Sequence, residues 1–237
     1  MQYDSPLTPA ILFRRYKRFL ADVMLADGTA LTVHTPNTGS MLGCSEPGSR
    51  IWIRDSGNRS RKYPWTWEIT ETADGVLVGV NTALSNRLVR EGIESGVIEE
   101  LSGYETVRGE VCYGSERSRI DLLLEGKGGC CYVEVKNVTA AKDGIAFFPD
   151  APTARGVKHL RELAETVRKG DRAVLLFCVQ REDVHAVRPA DHIDSEYGRT
   201  LRAAAAQGVE LVAYRAKVSP REIWLDTSLP VHLGEMT

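Results

Sequence analysis

Nowhere in the 237 residues is there an apolar run that could cross a bilayer. The longest uninterrupted one, Ala173 to Val179, falls far short of the roughly 20 residues a spanning helix needs. The polar N-terminus has no signal-peptide core, so the chain reads as a soluble cytoplasmic protein with no membrane partner. Cysteine is scarce and unpatterned. Cys44, Cys112, Cys130, Cys131 and Cys178 are odd in number and lack CxxC spacing, which argues against a zinc site or disulfide framework and leaves reduced, buried thiols. A phosphate-loop pattern, a dinucleotide fingerprint and a Cys/His nucleophile arrangement are missing as well, so no motif supports a sugar-binding or metabolic protein. Charge of one sign is also lacking. The net charge is -2, and nine cations meet eight anions in residues 1–82 while three meet six in residues 83–112. Any polyanion must therefore be met by local patches.

What is present is enough apolar material for a real core, 43% of the chain, in one large domain or two small ones. Short strand-like runs fill the first part: Phe19 to Leu25, Ala30 to His34, Arg50 to Asp55, Tyr63 to Thr72 and Gly75 to Asn81. Turn signals such as Asp27-Gly28, Ser56-Gly57-Asn58 and Asp74-Gly75 separate them, and five strands at this spacing suit an all-β barrel of OB type over residues 1–82. Ahead of them, Arg14, Arg15, Lys17 and Arg18 alternate with Tyr16 and Phe19. That pattern suits phosphates on the cations and bases on the rings, or an edge strand whose charges prevent aggregation. Arg59, Arg61 and Lys62 form a second, weaker cluster. The loop from His34 to Ser40 is rich in hydroxyl, amide and glycine, as in an anion-binding backbone nest or a capped turn.

Residues 83–237 read as a second, α/β domain. Its order is a helix from Leu84 to Gly96, three strands, a helix from about Thr153 to Lys169, a strand, a helix from Ser195 to Gln207, and a last strand. The stretch from Ser118 to Lys136 dominates it. Two apolar runs flank Glu-Gly-Lys-Gly-Gly, and a hairpin centred on the Lys127–Gly128 bond sets Asp121 directly across from Glu134. Alternation then puts Lys136 on the Glu134 face. Two carboxylates so close repel unless a proton or cation lies between them. Mg²⁺ suits such a pair, because it takes one or two carboxylates and completes its shell with water and phosphate oxygens.

Asp followed across a hairpin by Glu-x-Lys is the signature of the PD-(D/E)xK nuclease superfamily, and the order of helices and strands resembles that superfamily's core. The resemblance narrows further. Arg-Tyr-Lys-Arg-Phe (15–19), Pro-Asn-Thr-Gly-Ser-Met (36–41), Ser-Arg-Ile-Asp (118–121), Val-Glu-Val-Lys-Asn-Val-Thr (133–139), Phe-Pro-Asp-Ala (148–151) and Arg-Gly-x-Lys-His-Leu (155–160) look like the sugar fermentation stimulation protein A family. That resemblance implies an OB-like domain followed by a restriction-endonuclease-like domain, and a DNA-binding protein linked to sugar-utilisation genes.

Carried onto this sequence, it implies Asp121, Glu134 and Lys136 as catalytic residues, with Asp121 and Glu134 ligating Mg²⁺ or Mn²⁺. Glu91, preferred to Glu94 on helical phase, would complete the metal site, and Gln180 would position substrate. Arg14, Arg15, Lys17 and Arg18 on the barrel would contact DNA, with Arg119, Arg155 and Lys158 on the second domain; Arg117 lies beside Arg119. The expectation is a metal-dependent DNA nuclease, or a DNA-binding regulator that uses the same surfaces without turnover.

Overall fold

The computed structural model describes residues 1–114 and 118–234, so Arg117 lies outside the described residues. Six strands form the first unit: β1 (Thr8–Tyr16), β2 (Leu20–Leu25), β3 (Ala30–His34), β4 (Arg50–Asp55), β5 (Trp65–Glu71) and β6 (Leu77–Gly79). Inward positions such as Leu12, Val23, Val33, Ile51, Ile53 and Trp67 are wholly buried, giving the sheet an apolar face that closure covers. The order is β3-β2-β1-β4-β5-β6, and His34 on β3 pairs with Thr66 on β5 to close a five-stranded barrel from β1 to β5. One of its strands differs from the sequence reading. β1 starts at Thr8, and Ile11 and Phe13 on its outer side are 43% and 47% exposed. Apolar residues on both faces hid the period-two pattern that marks a half-buried strand.

The second unit comprises α1 (Ser85–Glu94), β7 (Thr106–Tyr113), β8 (Ser118–Gly126), β9 (Gly129–Val138), β10 (Ala141–Lys142), β11 (Ile145–Phe148), α2 (Ala154–Arg168), β12 (Arg172–Val179), β13 (Ala186–Pro189), α3 (Ser195–Ala206), β14 (Glu210–Val218) and β15 (Ile223–Ser228). A six-stranded sheet runs β15-β14-β12-β9-β8-β7, with β9, β12 and β14 parallel. On one face, Leu88, Val89 and Ile93 of α1 pack with Leu122, Val133 and Leu176; on the other, Val157, Leu160 and Leu163 of α2 and Leu201 of α3 pack with Leu175 and Phe177. Asp194 fixes both helix starts, accepting the Tyr197 N–H with one carboxylate oxygen and the Thr153 N–H with the other. The small sheet β10-β11-β13 and the strand β15 go beyond the sequence reading. The thiols divide: Cys44, Cys131 and Cys178 are buried, Cys130 is half-buried, and Cys112 on β7 is exposed rather than buried.

A 3-10 turn at Thr82–Leu84 joins the units, and the contact between them is extensive. Trp52 and Ile69 of the barrel belong to the apolar cluster around α1. Residues at the start of the chain cross to the second unit, where Gln2 bridges Glu222 and the Tyr3 N–H donates to the Arg221 carbonyl. Asp150 reaches the other way and accepts the Met41 N–H at 2.9 Å. The loop of residues 34–40 is thus tied down at its end by a carboxylate of the chain itself, while the Gly39 N–H goes to Asn37 Oδ1 as in a capped turn. Gly39 makes the approach feasible, since a Cβ there would lie 2.5 Å from the Asp150 carboxylate. Gly39→Ala is expected to cost about 1–3 kcal/mol through this overlap, read as a lower denaturation midpoint. In an Asp150→Ala background the same change should cost nearly nothing, because the two groups couple only through their contact.

Candidate active site

The hairpin forms in the expected register. Gly126 pairs with Gly129 around a two-residue turn, and the ladder runs to Leu122 opposite Val133. At the next position the strands separate, and the Asp121 side chain takes over: one oxygen accepts the Val135 N–H at 2.8 Å and the other accepts Asn86 Nδ2 at 2.9 Å. β9 meanwhile turns its pairing to β12, where Glu134 lies beside Leu175. Glu134 and Lys136 are only 3% and 9% exposed. A buried carboxylate is costly unless compensated. Glu134 Oε1 accepts Lys136 Nζ at 2.6 Å and faces His159 Nδ1 from α2. Arg155 Nε donates to His159 Nε2 at 3.3 Å, which places the ring proton on Nδ1, toward Glu134. Glu134 Oε2 is buried with no hydrogen-bond partner among the described residues.

The two carboxyl groups are driven apart electrostatically. Burial pushes Glu134 up, but the His159 hydrogen bond and the Lys136 charge outweigh it and hold the carboxyl below its ordinary range. Burial raises Asp121, the Glu134 charge raises it further, and the bonds from Val135 and Asn86 offset only part of this. A cleft of about 540 Å³ opens over the pair, with Thr38 and Thr82 on one side and Glu110 and Arg155 on the other. Glu110 stands across β7 and β8 from Asp121 at φ 55°, and the ladder skips this pair between Gly109–Leu122 and Val111–Ile120. Two carboxylates and an unpartnered buried oxygen fit a hard divalent cation that keeps water and phosphate in its shell. Among the described residues no three His, Cys, Asp or Glu side chains close into a fuller ligand set.

Other expected residues land elsewhere. Glu91 points away from Asp121 and pairs with the Met1 amine and with Arg87, each at 2.9 Å; Asn86 is the α1 residue that meets Asp121. Gln180 is wholly buried between the units, donating to Ser85 Oγ and Asn137 Oδ1, and does not line the cleft. Arg15 is spent on the Arg18, Asn37 and Gly39 carbonyls, Arg18 on the Thr38 carbonyl, and Arg14 on Asp22. Lys17 is exposed at the β1–β2 turn, Arg119 is exposed on β8, and Lys158 is half-buried on α2. His159, present in the sequence only as part of the Arg-Gly-x-Lys-His-Leu block and not expected at the site, is brought to Glu134 by α2. Its spacing of four from Arg155 was the available signal.

A carboxyl whose folded pKa is raised favours the protonated form in the folded state. Its ionisation therefore destabilises the fold, at a cost absent below the ordinary carboxylate range and fully present above the raised value. Without metal, Asp121→Asn should stabilise the protein by about 1 kcal/mol at neutral pH, and the gain should vanish on acidification. Thermal denaturation in EDTA across a pH series measures it.

Two family models cover most of the chain: the SfsA N-terminal OB domain matches residues 13–80, and the sugar fermentation stimulation protein RE domain matches residues 83–222. Both architectural expectations hold, a closed five-strand barrel and a restriction-endonuclease-like α/β unit. A sugar fermentation stimulation protein homolog from Geobacter metallireducens is 59% identical over 98% of this chain and all of its own length. One from Pelobacter propionicus is 60% identical over 96% of this chain and 98% of its own. The structure of Pyrococcus furiosus SfsA in complex with Ca²⁺ superposes with a TM-score of 0.89 at 27% identity, covering 98% of each chain. On these grounds the chain belongs to the sugar fermentation stimulation protein family.

Proposed function

We propose that the chain is a divalent-metal-dependent DNA phosphodiesterase whose reaction centre is the cleft between barrel and α/β unit. The observation that carries this reading is the buried Glu134, with Lys136 and His159 on one oxygen and nothing among the described residues on the other, beside a second carboxylate. Such a cluster is costly for a merely structural role, where apolar residues would serve better. The relative from Pyrococcus furiosus takes Ca²⁺, a hard cation with the same liking for oxygen donors as Mg²⁺ and Mn²⁺. Bound between Asp121 and Glu134, Mg²⁺ or Mn²⁺ would supply Lewis acidity toward the phosphate and a more acidic water.

The chain's own residues do the rest. Lys136 presents its ammonium at the carboxylates and stabilises charge growing on phosphate oxygens. His159, held by Arg155, fixes the orientation of Glu134. Arg155 lines the cleft and Arg119 is exposed on β8 two residues before Asp121, both as phosphate contacts in this reading, and Lys17 adds an exposed cation on the barrel. Arg14, Arg15 and Arg18 contribute less than their charge suggests, since their guanidinium groups already serve Asp22 and the backbone.

A second reading is a DNA-binding regulator of sugar-metabolism genes that uses this surface without turnover. It draws on the lack of a third acidic group closing the metal set among the described residues. Incubation with single-stranded, duplex and branched DNA decides between the two. Cleavage is expected with Mg²⁺ or Mn²⁺, is abolished by EDTA, and falls at least about 10²-fold in Asp121→Ala and Lys136→Ala. Absence of metal-dependent cleavage, or equal cleavage by Asp121→Ala, leaves the regulator reading.

A further inference from the structure

Beyond Lys136 the cleft continues into a second lobe, and that lobe has a different chemistry. Its volume is about 200 Å³, and it runs between the barrel loop Asn37–Gly39 and the strand Lys136–Ala140, with Phe147 and Phe148 at its far side. Thr38, Thr82, Lys136 and Asn137 border both lobes, so a ligand held at the carboxylates can extend directly into it. Where the first lobe is a site for charge, the second is lined by the half-buried Phe147, by Phe148, whose ring packs on Phe177 and Tyr197, by amide and hydroxyl groups, and by the Asp150 carboxylate already bonded to Met41.

The lobe is also preformed. Arg15 bonds the carbonyls of Asn37 and Gly39 at 2.9 and 2.8 Å, and Arg18 bonds that of Thr38 at 2.8 Å. Asp150 holds Met41 from the opposite side, and Thr82 Oγ1 donates to the Pro36 carbonyl at 3.2 Å. On the other wall, Asn137 Oδ1 already accepts Ser85 Oγ at 2.9 Å and Gln180 Nε2, which leaves the Asn137 NH₂ as the group it can present to a ligand.

We infer that this lobe receives one unpaired nucleobase, and that the substrate class of the site is therefore single-stranded or locally unpaired DNA. The inference rests on the phosphodiesterase reading for the position of the phosphate. An extruded base is recognised by stacking on aromatic side chains and by hydrogen bonds to its polar edge, and those are the two kinds of group this lobe supplies. Its volume of about 200 Å³, bounded by a clamped loop and a sheet strand, suits one ring system rather than a base pair. A phosphate beside Lys136 and a base against Phe147 belong to adjacent parts of one nucleotide strand.

The test uses the full wild-type chain with Ca²⁺ as the only divalent cation, and oligonucleotides bearing 2-aminopurine at successive positions. One position is expected to show quenched fluorescence on binding, and an abasic site there should weaken binding about tenfold. A blunt duplex of the same length should bind no better than the abasic strand. Phe147→Ala should remove the quenching. Because Phe147 also packs against His192, Thr38→Phe provides a second variant: it fills the lobe from an exposed loop position and should abolish the positional effect while leaving the denaturation midpoint in place. Equal binding of intact and abasic strands, or quenching that survives both variants, overturns the inference. The outcomes separate from those of the cleavage assay. Metal-dependent cleavage with no base dependence sinks the base lobe alone, whereas base-dependent binding without cleavage sinks the phosphodiesterase reading alone.

Discussion

A carboxylate buried in a sheet has to be answered, and much of the second unit is arranged around the answer to Glu134. Its neighbours on the strand are set by the pleat, which brings Lys136 to the same face two residues on. The remaining compensation comes from α2, whose packing delivers His159 to the same oxygen while Arg155 settles the tautomer. One carboxylate oxygen is thereby satisfied, and the other is buried with no partner among the described residues. Asp121, across the hairpin, carries the electrostatic consequence and is pushed toward its neutral form. Folding alone would not favour such an arrangement, which is why the pair reads as chemistry rather than architecture.

The second organising contact is the one between units. Cations that a charge count would assign to a nucleic-acid surface instead hold the barrel loop in place, and Asp150 ties the end of that loop from the other side through the Met41 N–H. The gain is a rigid wall for the cleft. The loss is free positive charge on Arg14, Arg15 and Arg18.

How much of this was legible in the sequence depends on which interactions are local. The hairpin register followed from the glycine turn and strand alternation, which operate within about twenty residues, and so the Asp121–Glu134–Lys136 face was readable in advance. The barrel was readable from turn spacing, although β1 was not, because Ile11 and Phe13 erase its alternation. Glu91 illustrates the opposite case. Helical phase says which residues share a face, but which face meets Asp121 depends on how α1 lies on the sheet, and the answer was Asn86. The roles of Gln180 and Arg15 were invisible for a related reason: Gln180 binds Ser85 and Asn137, which meet only when α1 lies on the sheet, and Arg15 binds carbonyls of the loop after β3, which meet it only when the barrel folds.

The kink at Glu110 bears on a different property. β7 is an outer strand of the six-stranded sheet, and an outer strand is normally a template for a neighbouring molecule's strand. A left-handed residue in its middle breaks the run of aligned backbone groups. At the opposite margin the start of the chain meets only the beginning of β15, where the Ile223 N–H donates to the Met1 carbonyl. A protein that holds an open cleft beside the broken margin gains resistance to edge-to-edge self-association, and the same bend that aims Glu110 at the cleft keeps a second sheet from growing across its mouth.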